Sequence, residues 1–187
     1  MELAVTPGAG WGTAVALSLC RHTQARRGEG ERAPLCAFLD PSESLHAPGV
    51  ARAGIDLTRL LVARPEPTEL GRIAVRLAES RIFSLIVVDL VGVPHAPLEL
   101  ALGPWVRVVR RLSLAIAHSR TSLVLLTDQT AARSIPLPVT ERFELTRATP
   151  RELVVRVSKD QRGRLEGPRR VAWSRRTRSE PTPSRVA

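Results

Sequence analysis

Apolar positions along the chain fall into two patterns that alternate: short unbroken runs, and longer stretches with helical spacing. Leu3 to Thr6 is a short run that leads into Pro7-Gly8-Ala9-Gly10-Trp11-Gly12, and a helix is predicted from about Thr13 to Arg26. A second run, Leu35 to Leu39, closes on Asp40; a short helix near Gly49 to Ala53 and a strand at Leu60-Leu61-Val62 follow. Between Thr68 and Ser80, the apolar residues Leu70, Ile73, Ala74 and Leu77 fall at i, i+3, i+4 and i+7, one face of a helix, with Thr68 as its expected N-cap. Phe83 to Val88 is unbroken and ends at Asp89, the pattern of a central strand covered on both faces.

Farther on, Leu98 to His118 reads as a long helix. Leu98, Leu102, Trp105, Val109, Leu112 and Ile116 form its apolar stripe, with Arg107, Arg110, Arg111 and His118 on the other side. Ser122 to Leu126 is a strand followed by Thr127-Asp128-Gln129. Arg142 to Thr146 and Leu153 to Ser158 alternate apolar with polar residues and predict an antiparallel edge hairpin; Val171-Ala172-Trp173 is a candidate final strand.

Strands alternating with helices imply an α/β fold, a mostly parallel sheet flanked by helices. In such sheets ligands sit beyond the carboxyl ends of the strands. The glycine loop, Asp40, Asp89 and Asp128-Gln129 all stand at strand ends of that kind, four polar stations on one rim.

Composition changes this picture mainly at the C-terminus. The 187 residues carry a net charge of +10, and Lys159 is the single lysine. Eight arginines against two glutamates lie between Arg162 and Ala187, so most of the excess is there. The expected organisation is a core over residues 1–161 and a basic Arg/Pro/Ser-rich tail over 162–187, disordered from about Arg175. A basic tail suits a polyanion, nucleic acid first, and equally suits solubility or an acidic partner. Cys20 and Cys36 read as reduced and buried. With no metal-ligand spacing, no apolar run of membrane-spanning length and no secretion signal, a cytoplasmic protein without cofactor is expected.

The spacing of the rim stations resembles the RecA-type P-loop ATPase core over roughly residues 2 to 161. Cys36 to Asp40, Leu45, Gly54-Ile55-Asp56-Leu57, Leu60 to Val62 and Pro65 follow its order, and Ser84 to Asp89 looks like its Walker B strand. Leu123 to Leu126 with Asp128-Gln129 is similar to the strand ending in a nucleotide-sensing glutamine, and Val155 to Lys159 to the strand leading to an interface lysine.

A working P-loop reads G-x-x-x-x-G-K-[ST]; its backbone amides and lysine hold phosphate and its hydroxyl holds magnesium. The matching stretch here is Thr6 to Thr13. Thr13 keeps the hydroxyl and the loop keeps Gly8 and Gly10, but Gly12 stands in place of the lysine and Trp11 in place of the last loop glycine. An indole at Trp11 is expected to obstruct phosphate. Ser42 stands at the position of the catalytic glutamate, with Glu43 next to it. Phosphoryl transfer depends on positioning and charge stabilisation, so a chain lacking both lysine and base is expected not to be an ATPase. The two DNA-binding loops of such recombinases would fall between Gly92 and Leu98 and at Thr130 to Pro138, and both are short. The chain begins almost on its first strand, so the leading segment that links RecA subunits is expected either to be missing or to lie upstream of Met1.

Short degenerate RecA-like chains with a basic tail resemble the ImuA family, which implies an accessory role in bacterial DNA damage response and translesion synthesis. The partners so implied are RecA or the proteins of the mutagenesis cassette. The alternatives are a divergent ATPase that still binds or slowly hydrolyses ATP, and a division inhibitor of SulA type. The glycine loop is a ligand-free turn or a residual nucleotide site, Asp89 a cap on backbone amides or a metal carboxylate, and Gln129 a relic or part of a partner surface. Arg107, Arg110 and Arg111 are a solvated helix face or, together with Lys159, Arg162, Arg164, Arg169, Arg170, Arg175, Arg176 and Arg178, candidate DNA or partner contacts.

Overall fold

In a computed structural model of the chain, residues 1–6, 10–26, 34–93, 96–97, 103–129, 137–164 and 167–172 are described. The strands are β1 (Glu2–Val5), β2 (Cys36–Leu39), β3 (Leu60–Ala63), β4 (Leu85–Asp89), β5 (Gly92–Val93), β6 (Ala96–Pro97), β7 (Ser122–Asp128), β8 (Glu141–Thr149), β9 (Glu152–Asp160) and β10 (Arg169–Ala172). The helices are α1 (Trp11–Ala25), α2 (Ala47–Arg52), α3 (Leu70–Ser80) and α4 (Trp105–Ile116). Eight strands form one sheet in the order β10-β9-β8-β1-β7-β4-β2-β3, and β5 and β6 make a separate two-stranded hairpin. From β3 across to β8 every pairing is parallel, while β8–β9 and β9–β10 are antiparallel. The expected mixed sheet is present, but its C-terminal hairpin is not at the edge. Strand β8 lies against β1 and β9 is covered by β10, which begins at Arg169 and carries the sheet past residue 161.

Residue alternation in the strands builds two cores, because successive side chains in a strand point to opposite faces. Cys36, Phe38, Leu85, Val87, Val124 and Leu126 pack on one face with Trp11, Ala16, Leu17 and Cys20 of α1 and Val50 of α2. Ala37, Leu39, Ile86, Val88, Leu123 and Leu125 pack on the other with Leu70, Ala74 and Ala78 of α3 and Trp105, Val109 and Leu112 of α4. Being covered on both sides explains why β2, β4 and β7 read as unbroken apolar runs.

Two helix ends differ from expectation. Helix α3 is preceded by a turn and starts after Glu69, with no side-chain cap, so Thr68 does not serve as its N-cap. Backbone bonds from Glu69 N and Leu70 N to Glu66 O organise that turn in place of a side chain. Helix α4 ends at Ile116, two residues before His118; the expected first turns, at Leu98 and Leu102, lie outside the described residues. Gln24, buried near the end of α1, ties that helix to the segment before β3: its amide donates to Asp56 O and Arg59 O and its carbonyl oxygen accepts from Asp56 N.

Candidate functional site

The parallel strands bring Val5, Leu39-Asp40, Asp89 and Asp128-Gln129 to one rim, because β1, β2, β4 and β7 are in parallel register. A cleft of about 70 Å³ opens there, with Thr6, Gly10, Gly12 and Thr13 on one wall and Ser44, Asp89 and Gly92 among the residues opposite. It is small against the ~300–1,000 Å³ of ordinary small-molecule sites. Gly8 lies outside the described residues.

Helix α1 starts straight from the loop. Its N-cap, Gly10, has φ 61°, a left-handed conformation that glycine adopts without strain. Gly12 sits against β1 so closely that a Cβ on it would stand 2.9 Å from Val5 Cγ2 and 3.1 Å from Cγ1. Position 12 is therefore a close helix–strand contact. Trp11 is only 4% exposed and belongs to the core beneath α1. The expectation that its indole obstructs phosphate is corrected: the side chain leaves the loop for the core, where its apolar area is buried.

Asp40 and Asp89 are both buried but do different work. Asp40 is consumed by its own turn. Its Oδ1 accepts from Ser44 N and Ser44 Oγ, and its Oδ2 from Leu45 N, all at 2.9 Å. Arg64 approaches Asp40 at 4.0 Å and Glu43 at 3.9 Å, and donates to Leu45 O. Asp40 thus acts as the lock of the 40–45 turn. Ser42 has a buried hydroxyl without a hydrogen-bond partner among the described residues. Glu43 takes φ 53° and turns outward to Arg64.

Asp89 lines the cleft and keeps one firm partner, Val91 N at 2.9 Å to Oδ1. Burial pushes its carboxyl up to about 6, opposed by amide bonds from Val91 and Gly92 and reinforced by the nearby Asp40 charge. Thr13 lines the same cleft, so a hydroxyl and a carboxylate of the kinds that hold magnesium in P-loop proteins share it. Among the described residues no lysine or arginine lines the cleft, and no group of three or more potential metal ligands is present. Gln129 N donates to Val5 O, which fixes the residue beside the end of β1, while its Oε1 is buried without a partner.

The basic candidates divide. Lys159 Nζ is bound to Leu137 O at 3.0 Å, within its own chain. Arg164 meets Asp160 and Glu141, and Arg170 meets Glu152. Arg169 is exposed on β10 but also has a partner, and exposed Arg162 caps a turn through its amide to Asp160. Arg107, Arg110 and Arg111 are exposed on α4 and have no ion-pair partner among the described residues. Arg175, Arg176 and Arg178 lie outside the described residues. The first expected DNA-loop position holds the small β5–β6 hairpin, and most of the second falls outside the described residues.

Ser44 and Arg64 were not legible as site residues. Ser44 reaches the cleft only because the Asp40 turn folds back, and Arg64 reaches that turn from the end of the neighbouring strand β3. No spacing rule links either to the loop. Among the described residues, no helix is long and apolar enough to cross a membrane.

No protein-family model matches the chain. The chain is similar to the RecA proteins of two strains of Chloroflexus aurantiacus, each 31% identical over 102 residues that cover 48% of this chain and 29% of the relative. It therefore spans less than a third of the length of those curated relatives. The similarity supports a distant RecA-like relationship, with which the eight-stranded mixed sheet is compatible.

Proposed function

We propose that this chain is a non-catalytic RecA-like accessory protein of the ImuA type. It works in the bacterial DNA damage response and translesion synthesis by docking onto RecA or mutagenesis-cassette proteins, with its basic tail as a DNA contact. The observation that carries this reading is the Gly12 contact. The position that supplies the phosphate-binding lysine in a P-loop has no room for a Cβ against Val5, and no other cation lines the cleft among the described residues. Ser42 in place of the catalytic glutamate points the same way. The neighbouring carboxylates Asp40 and Glu43 are engaged by their own turn and by Arg64.

A second reading, residual nucleotide binding without turnover, is favoured by one observation: Thr13 and Asp89 still share a cleft. A fluorescent ATP analogue with magnesium, titrated against protein up to about 100 μM, separates the two. The accessory reading expects no saturable signal. Saturable binding that ATP displaces would make nucleotide a ligand of this cleft. Affinity capture from damaged bacterial cells tests the partner. Recovery of RecA or a polymerase supports the docking role, and recovery of the division-ring protein moves the chain to the SulA type.

A further inference from the structure

Several described arginines of the sheet and its turns meet carboxylates within the chain: Arg64 meets Asp40 and Glu43, Arg142 meets Glu2, and Arg164 meets Asp160 and Glu141. Helix α4 carries three arginines with no such pairing among the described residues. Its twelve residues contain no acidic side chain, and Arg107, Arg110 and Arg111 stand at i, i+3 and i+4, stacked on its exposed side. Like charges at that spacing disfavour a helix, and among the described residues nothing offsets them. Leu114, one turn beyond Arg110 and Arg111, is 76% exposed. Helix α3 lies alongside, so close that a Cβ on Gly71 would meet Val108 Cγ2 at 3.0 Å. It adds Arg76, exposed and equally unpaired.

We propose that the outer face of the α3–α4 pair is a docking surface for an acidic protein segment that carries an apolar anchor, its carboxylates on Arg76, Arg107, Arg110 and Arg111 and its anchor on Leu114. Arginine suits this task because its planar fork takes a carboxylate through two parallel hydrogen bonds. The rise from residue 107 to residue 111 is about 6 Å, which is also the rise between carboxylates four apart on a partner helix. The exposed leucine selects protein over nucleic acid. A DNA backbone needs cations alone, and single strands need aromatic platforms. Among the described residues no Phe or Trp side chain is exposed, and Trp105 of α4 is buried.

This inference rests on the docking reading and gives it a surface; it is independent of whether the cleft takes nucleotide. The test uses the full chain and a labelled helical peptide with glutamates flanking leucines, followed by fluorescence anisotropy at about 0.15 M salt. Saturable binding is expected, weakened at least about tenfold in the Arg107→Glu/Arg111→Glu variant and about fivefold in Leu114→Ser, with circular dichroism and melting unchanged in both. No binding by the wild type, or equal binding by the variants, overturns the proposal. So does capture of a labelled DNA duplex that needs the arginines but not Leu114, which would assign the face to nucleic acid. If the Arg107→Glu/Arg110→Glu/Arg111→Glu variant still captures the cellular partner, docking stands and this surface is wrong.

Discussion

Gly12 and Asp89 show how single residues set the limits of the rim. Alanine raises helix propensity over glycine by roughly 0.5–1 kcal/mol, yet at position 12 its methyl would press into Val5. Overpacking of that kind costs about 1–3 kcal/mol. Gly12→Ala should therefore lower the urea midpoint, and Gly12→Lys should lower it further without creating ATP hydrolysis; a stabilised Gly12→Ala would refute the contact. Asp89 has a folded-state pKa raised to about 6 from 3.8, so the fold binds its proton more tightly than the unfolded chain does. The stability this confers is complete below about pH 4 and is lost as pH rises through about 6. Each pKa unit represents ~1.4 kcal/mol, so the loss reaches about 3 kcal/mol. Asp89→Asn keeps an acceptor for Val91 N and cannot ionise. Its stability gain over wild type should be near zero at pH 4 and grow to the order of 2–3 kcal/mol by pH 7, measured by urea unfolding across pH. A difference independent of pH would contradict the assignment.

At the scale of elements, β1, β7 and β8 are held by a buried polar clamp as well as by their ladders. Thr127 Oγ1 donates to Glu2 Oε1 at 2.7 Å, and Arg142 meets the same oxygen at 3.5 Å, with Glu2 almost wholly buried. Removing Arg142 leaves that buried carboxylate without its guanidinium partner, a change that costs about 3 kcal/mol. Arg142→Ala should show this in urea unfolding, whereas Glu2→Gln/Arg142→Met should recover most of it; additive losses in that cycle would mean the pair is not coupled. The strands themselves were legible, since their runs and alternation depend on burial. The clamp was not, because Glu2 and Arg142 are separated by most of the chain and only the parallel β1–β8 pairing makes them neighbours. The same pairing moved the C-terminal hairpin inward from its expected edge.

The whole molecule has two sheet edges of different character. Among the described residues, strand β10 ends the sheet with arginines, while β3 ends it with Leu61 41% and Val62 37% exposed. An apolar unpaired edge is a template for pairing between chains. Leu61→Lys should raise the protein concentration at which light scattering begins, with stability changed by no more than about 0.5 kcal/mol; an unchanged onset would show that this edge does not drive association.

By itself the sequence determined the α/β class, the strands and their polar ends, the glycine-rich turn that runs into Gly12 and the concentration of arginine in the tail. These are local properties, written in hydrophobic period and in residue identity at a motif position. Tertiary structure alone decided what the polar groups do. Asp40 became a turn lock because Ser44 and Leu45 fold back onto it. Asp89 became a desolvated carboxylate because β4 lies between covered neighbours. Trp11 joined the core rather than the loop. Lys159 and Arg164 were drawn into the chain's own hydrogen bonds, and Arg107, Arg110 and Arg111 were left without ion-pair partners among the described residues because α4 turns its apolar stripe to the sheet. A side chain's partner depends on which distant strand or helix packs beside it, and spacing along the chain does not carry that information.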